Sequence, residues 1–479
     1  MSWRARAYRL ACSIRRDHHL DVLAALRPSA TWPVDRLQQA QDARLSALLL
    51  HAFARIPFHR DRLLAAGVVT DPDRPRVDLS CFSRLPLLTR EDVRQRAHEL
   101  CDRVAPGPGV YTTTSGGTTG VPVRIVRDRE TYEAVIAVQV WFDEWSGYAA
   151  GEPKVMLFAR RPFARERLRG WIGSNLKHEL RLYASRLPQR RLSACIDRIN
   201  RQRPVQVVGP PWLLYEIARH AEATGRPIAS PRAVMTSYEA LTPETSRVLQ
   251  RVFGAPVFNR YGTSELGGIA CSCGHEPRLH VSALTHLVEV LRPDGEPCGP
   301  GETGEVVITH LTNRAMPLIR YRLGDLATPS PRDPCRCGRT LPSIAEVSGR
   351  VMEAFVRSDG SLVSGSYVRR FYRSTRGLRQ FQVVQQAPTL VQVRLVERPE
   401  IAGDVARRHA NVRVIEQHLR RLLGRDCQVT FEFLDEILRE PSGKFRPTVC
   451  LIPESERRRG RYNLPAVAGP VEVAGTGER

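Results

Sequence analysis

Apolar positions recur at three- and four-residue spacing between residues 37 and 53. Leu37, Leu45, Leu48, Leu49 and Phe53 share one face and predict a helix there. This helical pattern dominates residues 1–105, interrupted by the loop TDPDRPR at 70–76. A Gly-, Thr- and Pro-rich stretch follows at 106–120, and the period then changes. VPVRIV at 121–126 alternates as a strand does. Asp128 stands where an N-cap belongs, ahead of a helix with Tyr132, Val135, Ile136 and Val140 on one face. From residue 155 the apolar runs are short and continuous, at 155–158, 205–208 and 233–236, as in buried strands. Helical stretches at 212–224 and 245–253 separate them, which predicts a parallel sheet with crossover helices.

Nearer the C-terminus, 381–384, 391–396 and 429–433 read as strands around a helix at 405–423. The fold class expected is therefore α/β: a large N-terminal domain of mixed or parallel sheets flanked by helices, plus a small mobile α+β domain. The organisation expected is a mostly helical part at 1–105, a core at 106–350, the small domain at 351–453 and a disordered tail at 454–479. No internal repeat is present.

Composition changes this picture little. The 479 residues are 42% hydrophobic and 25% charged, which excludes a disordered, collagenous or coiled-coil chain. The net charge of +22 is unusual, and all but three of the 72 basic residues are arginine. Arginine use on that scale points to a coding bias. The three positions that remain lysine, Lys154, Lys177 and Lys444, then stand out as places where a compact ammonium matters. Residues 152–203 hold fourteen Lys/Arg against four Asp/Glu; the segment suits a solvated face or a docking surface for a phosphate-rich or acidic partner. A nucleic-acid-binding protein is the alternative that the charge suggests, but no helix-turn-helix, zinc-finger or RRM string supports it. Eleven cysteines, an odd count, do not form the framework of a small secreted protein. No apolar run of about 18 residues is present, and the Arg-rich residues 1–16 lack the apolar core of a signal peptide. A reduced, cytoplasmic protein without a transmembrane segment is expected, with a homodimer left open.

Four strings carry candidate chemistry. TTTSGGTTGVP at 112–122 joins three glycines, which let a backbone approach a ligand, to hydroxyls suited to a polyphosphate; it lacks the lysine of a P-loop. NRYGTSELGG at 259–268 follows a predicted strand at 256–258. Tyr261 can stack on a planar base there, and Glu265 can hold Mg²⁺ on a phosphate. YRLGD at 321–325 offers Asp325 to ribose hydroxyls, and PSGKFRP at 441–447 offers Lys444 to a developing negative charge. A fifth constellation holds metal-ligand types: Cys271, Cys273, His275 and His280, then Cys335 and Cys337 about sixty residues on. Four of these would make a tetrahedral Cys₃His or Cys₄ zinc site, although C-x-C is a less standard spacing than C-x-x-C.

In this order and spacing the four strings resemble the adenylate-forming ligase superfamily. Within it they look like the phenylacetate–coenzyme A ligase-like branch, which includes capsule-biosynthesis and deazaflavin-coenzyme adenylating homologues. SYEALTPE at 237–244, GETGEVVITHL at 301–311, AMPLIRYRLGD at 315–325 and SGR at 348–350 extend the resemblance over roughly residues 80–453. It implies ATP-dependent adenylation of a small carboxylic acid, aryl or arylacetic, followed by transfer to a thiol, most simply coenzyme A. An amine, a hydroxyl or the thiol of an acidic carrier protein are the alternative acceptors. By the same resemblance Thr114, Ser115, Gly116, Gly117, Thr118, Thr119 and Gly120 hold the pyrophosphate end of ATP. Ser237, Tyr238, Glu239 and Tyr261 flank the adenine, with Gly262 beside them; Thr263 and Glu265 handle phosphate and Mg²⁺. Asp325 and Arg350 bind near the ribose, and Lys444 stabilises the adenylation transition state. Branch relatives carry a zinc knot, so Cys273, His280, Cys335 and Cys337 are the structural Zn²⁺ ligands expected, with Cys271 or His275 as substitutes.

One departure concerns the hinge between domains. Members usually read G-R-x-D-D, and here the string is Gly349-Arg350-Val351-Met352-Glu353, which puts the domain rotation in question. For the acid pocket, Trp141, Phe142, Trp145, Phe158, Trp212 and Tyr238 are available, each of which is equally an ordinary core residue.

Overall fold

The structure, a computed structural model, describes residues 17–102, 111–114, 123–158, 178–183, 189–331, 333–368, 377–398, 403–438 and 446–457, with a few single positions besides. The first helices are α1 (His19–Ser29), α2 (Val34–Arg55) and α3 (Pro57–Ala65). The stripe Leu37, Leu45, Leu48, Leu49 and Phe53 of α2 is buried, as its spacing predicts. The short α4 (Arg90–Gln95) starts on a reciprocal cap: Thr89 Oγ1 accepts from the Asp92 N–H, and the Asp92 carboxylate accepts from the Thr89 N–H.

A strand pair, β1 (Tyr111–Thr114) and β2 (Arg124–Arg127), brackets the Gly/Thr string. Asp128 caps α5 (Arg129–Trp145) by accepting from the Thr131 N–H at 2.7 Å. The buried face of α5 differs from the expected one. It runs through Ala134, Ala137, Val138, Trp141 and Phe142, whereas Tyr132 is exposed and stacks on Tyr111. The helix turns this way because Trp141 and Phe142 bury more apolar surface than Tyr132 would.

The central sheet has eleven strands. Its parallel half comprises β3 (Lys154–Phe158), β4 (Glu179–Tyr183), β5 (Gln206–Gly209), β6 (Ala233–Thr236) and β7 (Val257–Thr263). Their spatial order is β4-β3-β5-β6-β7, all parallel. The helices α6 (Gln189–Gln202), α7 (Pro211–Thr224) and α8 (Pro243–Phe253) make the crossovers and pack in one core with Val155, Leu157, Val207 and Val234. Beyond β7 the sheet turns antiparallel through β8 (Gly267–Ser272), β9 (Leu279–Val281), β10 (His286–Leu291), β11 (Gly304–His310), β12 (Tyr321–Pro329) and β13 (Ser343–Arg350). A separate four-stranded sheet, β14 (Leu378–Ala387), β15 (Leu390–Glu397), β16 (Gln428–Phe433) and β17 (Thr448–Cys450), packs with α9 (Val405–Leu423) as the C-terminal unit.

The hinge string follows β13 directly: Val351–Glu353 form a helical turn, and Val351 is fully buried between Leu326 of the large unit and Cys450 and Ile452 of the small one. The first residues of the expected tail at 454–479 are ordered. Glu454–Arg457 form a helical turn, and buried Arg457 donates to the Val351 carbonyl at 3.3 Å. Residues 458–479 lie outside the described residues. Among the described residues no helix is long and apolar enough to cross a membrane.

Lys154, one of the three lysines, serves the core. Its Nζ reaches Asp143 Oδ2 at 2.6 Å, and Arg260 reaches Asp143 Oδ1 at 3.2 Å, with all three side chains buried. A compact ammonium fits this packed position, where Nζ also lies 4.6 Å from the Tyr148 ring centre.

Candidate active site

The carboxyl ends of the parallel strands open on one edge of the sheet, where α/β enzymes bind ligands. Ser237 and Tyr238 follow β6 there. Ser237 is buried; Tyr238 is exposed and has φ +79°, a conformation costly for a bulky side chain and common at functional sites. Glu239 is exposed beside them.

β7 carries Tyr261, Gly262 and Thr263 into a tight turn that returns as β8. Two glycines are required. A Cβ on Gly262 would lie 2.3 Å from the Gly267 carbonyl oxygen, and Gly267 has φ +79° with Val135 packed against it. The Leu266 N–H donates to Thr263 Oγ1 at 3.2 Å, which closes the turn. Glu265 is 6% exposed, and Arg90 lies 3.5 Å from its Oε1. The sequence does not single out Arg90: it lies far along the chain, and its only local mark is the cap formed by Thr89.

Asp325 sits on β12 directly opposite Arg350 of β13. Tyr261 donates its hydroxyl to Asp325 Oδ2 at 2.8 Å, and Arg350 Nε donates to Oδ1 at 3.2 Å. Burial raises the Asp325 pKa, opposed by Arg350 and the Tyr261 hydroxyl. Burial likewise pushes Tyr261 well above the ordinary phenol value, with the Asp325 charge adding to it, so the phenol stays protonated and donates. The structure thus brings together Tyr261, Gly262, Thr263, Glu265, Asp325 and Arg350. Thr114 ends β1, opposite Arg124. Ser115, Gly116, Gly117, Thr118, Thr119 and Gly120 of the Gly/Thr string lie outside the described residues, as does Lys444.

Of the aromatic candidates for an acid pocket, Trp141 and Phe142 are core residues beneath β8, and Trp145 packs under Arg339 and against His280. Only Phe158, Trp212 and Tyr238 remain at the carboxyl edge, where Phe158 stacks on Tyr183.

Cys273, His280, Cys335 and Cys337 converge, with all four donor atoms within 4.8 Å of one another. The sulfurs of Cys273 and Cys335 are 3.6 Å apart, and Cys337 Sγ is 3.5 Å from His280 Nε2. A tetrahedral ion with ~2.3 Å bonds to sulfur needs ligand–ligand edges of ~3.8 Å, whereas a disulfide needs ~2.05 Å. Burial lowers the His280 pKa to about 4, which leaves the neutral, ligating imidazole. The donor set therefore fits zinc. Cys271 and His275, the expected substitutes, stand apart: Cys271 is buried in the core with Trp141 and Phe258, and His275 is exposed. β8 ends at Ser272, so Cys273 has left the strand and can meet the loop cysteines, whereas Cys271 stays within the strand and its core.

Buried histidines give the fold an acid limit. Burial holds His59 near 3 and His286 near 4, and it pulls His310 well below its ordinary value. The unfolded chain binds their protons below about pH 6.5 while the native state does not, so stability is complete above that pH and lost as pH falls. His59 and His286 each contribute on the order of 2 kcal/mol between pH 6.5 and 5, and His310 acts in the same direction. Urea midpoints should fall steeply over that interval, before most carboxylates titrate.

A parallel sheet that turns antiparallel, an edge that carries the buried carboxylates Glu265 and Asp325, and a small second unit after a hinge fit an adenylate-forming enzyme. The chain belongs to the AMP-binding enzyme family, whose model matches residues 25–313; the CapK C-terminal domain matches residues 355–450. It falls in the phenylacetate–coenzyme A ligase-like branch. The phenylacetate–coenzyme A ligase of Escherichia coli K12 is 29% identical over 354 residues, 71% of this chain and 75% of that one. Protein CapK of Staphylococcus aureus is 21% identical over 375 residues, 78% of this chain and 80% of its own. In fold it resembles 2-hydroxyisobutyryl-CoA ligase in the postadenylation state, with TM-score 0.71, 17% identity, and 90% and 92% of the two chains covered.

Proposed function

We propose that the protein joins a carboxylic acid to a thiol in two steps with ATP. In the first, a carboxylate oxygen bonds to the α-phosphorus, the bond to the bridging oxygen breaks, and pyrophosphate leaves. In the second, a thiolate attacks the acyl carbon and AMP leaves; coenzyme A is the thiol assigned. The observation that carries this reading is the convergence of Tyr261, Glu265, Asp325 and Arg350 at the carboxyl edge of the sheet. The relatives named phenylacetate–coenzyme A ligase support an acid and coenzyme A as substrates, and an aryl or arylacetic acid is the finer assignment.

Asp325 is assigned the ribose hydroxyls, with Arg350 opposing the burial that raises its pKa. Ser237, Tyr238, Glu239 and Tyr261 are assigned the adenine. Thr114 and residues 115–120 are assigned the pyrophosphate end, and Lys444 the charge that builds on the transferring phosphoryl group. Phosphoryl transfer depends on placement and charge, which these residue types supply. Glu265 fits Mg²⁺, which takes one or two protein carboxylates together with substrate phosphates. Bound there, the ion would neutralise polyphosphate charge. Zinc on Cys273, His280, Cys335 and Cys337 is assigned a structural role, and a reducing, cytoplasmic setting suits its thiolates.

Pyrophosphate exchange into ATP tests the first step across aryl, arylacetic, fatty and amino acids. One acid class should support exchange, and Lys444→Ala should lower it ~10²–10³-fold, the usual cost of losing a group that stabilises transition-state charge. Absence of exchange with every acid together with absence of ATP binding overturns the reading. Coenzyme A, a carrier protein, an amine and a hydroxyl compound, tried in turn on the loaded enzyme, then identify the acceptor.

A further inference from the structure

The turn that carries Thr263 and Glu265 is held from behind by a polar cluster. Arg127 donates from Nη2 to the Ser264 carbonyl at 2.6 Å. His286 Nε2 lies 3.1 Å from the Leu266 carbonyl oxygen. These two carbonyls flank Glu265 in the chain. His310, paired with His286 across β10 and β11, stacks on it with ring centres 4.8 Å apart and planes 11° from parallel.

Chemistry sets the direction of each bond. A carbonyl only accepts, so His286 Nε2 bears the proton. Burial keeps the ring neutral, so Nδ1 is an acceptor. Thr285 Oγ1, 2.9 Å from that nitrogen, is the hydroxyl placed to donate to it, a proton for which Ser282 Oγ at 2.7 Å and the Ser282 carbonyl at 3.1 Å compete. The Leu266 carbonyl fixes the tautomer, and the Thr285 hydroxyl supports it. Arg127 is 7% exposed, and among the described residues no carboxylate lies within salt-bridge distance of it. Its Nε and His310 Nδ1 are buried without partners among the described residues. A buried cation without a contacting carboxylate is costly, and stability alone does not account for it.

We propose that Arg127 and His286 are positioning residues for Glu265: by clamping the carbonyls on both sides of it, they place its carboxylate for Mg²⁺–ATP. The inference rests on the function proposed above. Neither residue touches the nucleotide; both act through the turn.

Calorimetric titration of the full chain with ATP, in MgCl₂ and in EDTA, tests this without knowledge of the acid. The wild type should bind ATP more tightly with Mg²⁺. His286→Phe keeps the ring volume and the stacking but has no N–H. The Mg²⁺-dependent gain should shrink ~10-fold in it, the worth of one buried hydrogen bond, with affinity in EDTA nearly unchanged. His286→Gln, which returns an N–H at similar reach, should recover most of the gain. Thr285→Val, which removes the supporting hydroxyl without touching the ring, should lose part of it. A merely structural defect would weaken binding alike in both buffers. An unchanged gain in His286→Phe and Thr285→Val, or a loss in His286→Gln equal to that in His286→Phe, overturns the proposal. If the wild type binds no ATP, the functional reading itself fails and takes this inference with it.

Discussion

Replacing Asp143 with alanine should strip the protein of a large part of its stability, whereas Lys154→Met should be tolerated. Asp143 is the shared anion of a buried cluster, with Oδ2 held by Lys154 at 2.6 Å and Oδ1 by Arg260 at 3.2 Å. Gln206 Nε2 adds a bond at 3.4 Å, and the side chains of Asp143 and Lys154 are each 3% exposed. Two cations on one carboxylate leave an excess positive charge. Removing the carboxylate strands both cations in a medium that cannot solvate them, which costs ~3–5 kcal/mol or more. Total stabilities run ~5–15 kcal/mol, so this loss is a large share. Lys154→Met instead removes the excess cation and leaves Asp143 paired one-to-one with Arg260, in a side chain of similar volume. Urea midpoints of the two variants check the ordering. Equal losses would show that the charge excess is not what the cluster must balance.

Removing zinc should loosen the sheet where it turns, and the purified protein should carry close to one zinc per chain. Cys273 follows β8, His280 lies on β9, and Cys335 and Cys337 lie in the loop between β12 and β13. These strands neighbour one another in the order β8-β9-β13-β12, so one ion would join both loops to the sheet. An ion that binds only the native state stabilises it by mass action, about 4 kcal/mol at a thousandfold excess over Kd. Cys335→Ser or a strong chelator should lower the melting temperature and release the metal. Cys271→Ser should keep it, because Cys271 lies in the core away from the donors. A zinc content near zero in the wild type would refute the assignment.

Much of the fold is legible in local pattern. The strands at 233–236 and the helix at 405–423 stand where periodicity places them, and Asp128 caps the helix it precedes. Local pattern misplaces the buried face of α5, because Tyr132 and Trp141 are equally apolar by period and only the neighbouring elements decide which packs inward. It also cannot separate the lysines. Lys154 is conspicuous for the same reason as Lys444, yet it pairs with a core carboxylate.

The sequence by itself determined the α/β class, the small C-terminal unit, the motifs and the types of side chain each step needs. Periods of two and of three to four residues are properties of neighbouring positions, so a chain displays them without folding. The tertiary structure decided what meets what. It placed Asp325 between Tyr261 and Arg350, set Arg90 against Glu265, put Arg127 and His286 behind the turn, and chose Cys273 over Cys271. These contacts join segments distant in the chain. They depend on strand register and on which charges can be buried together, and neither is written in any short stretch of residues.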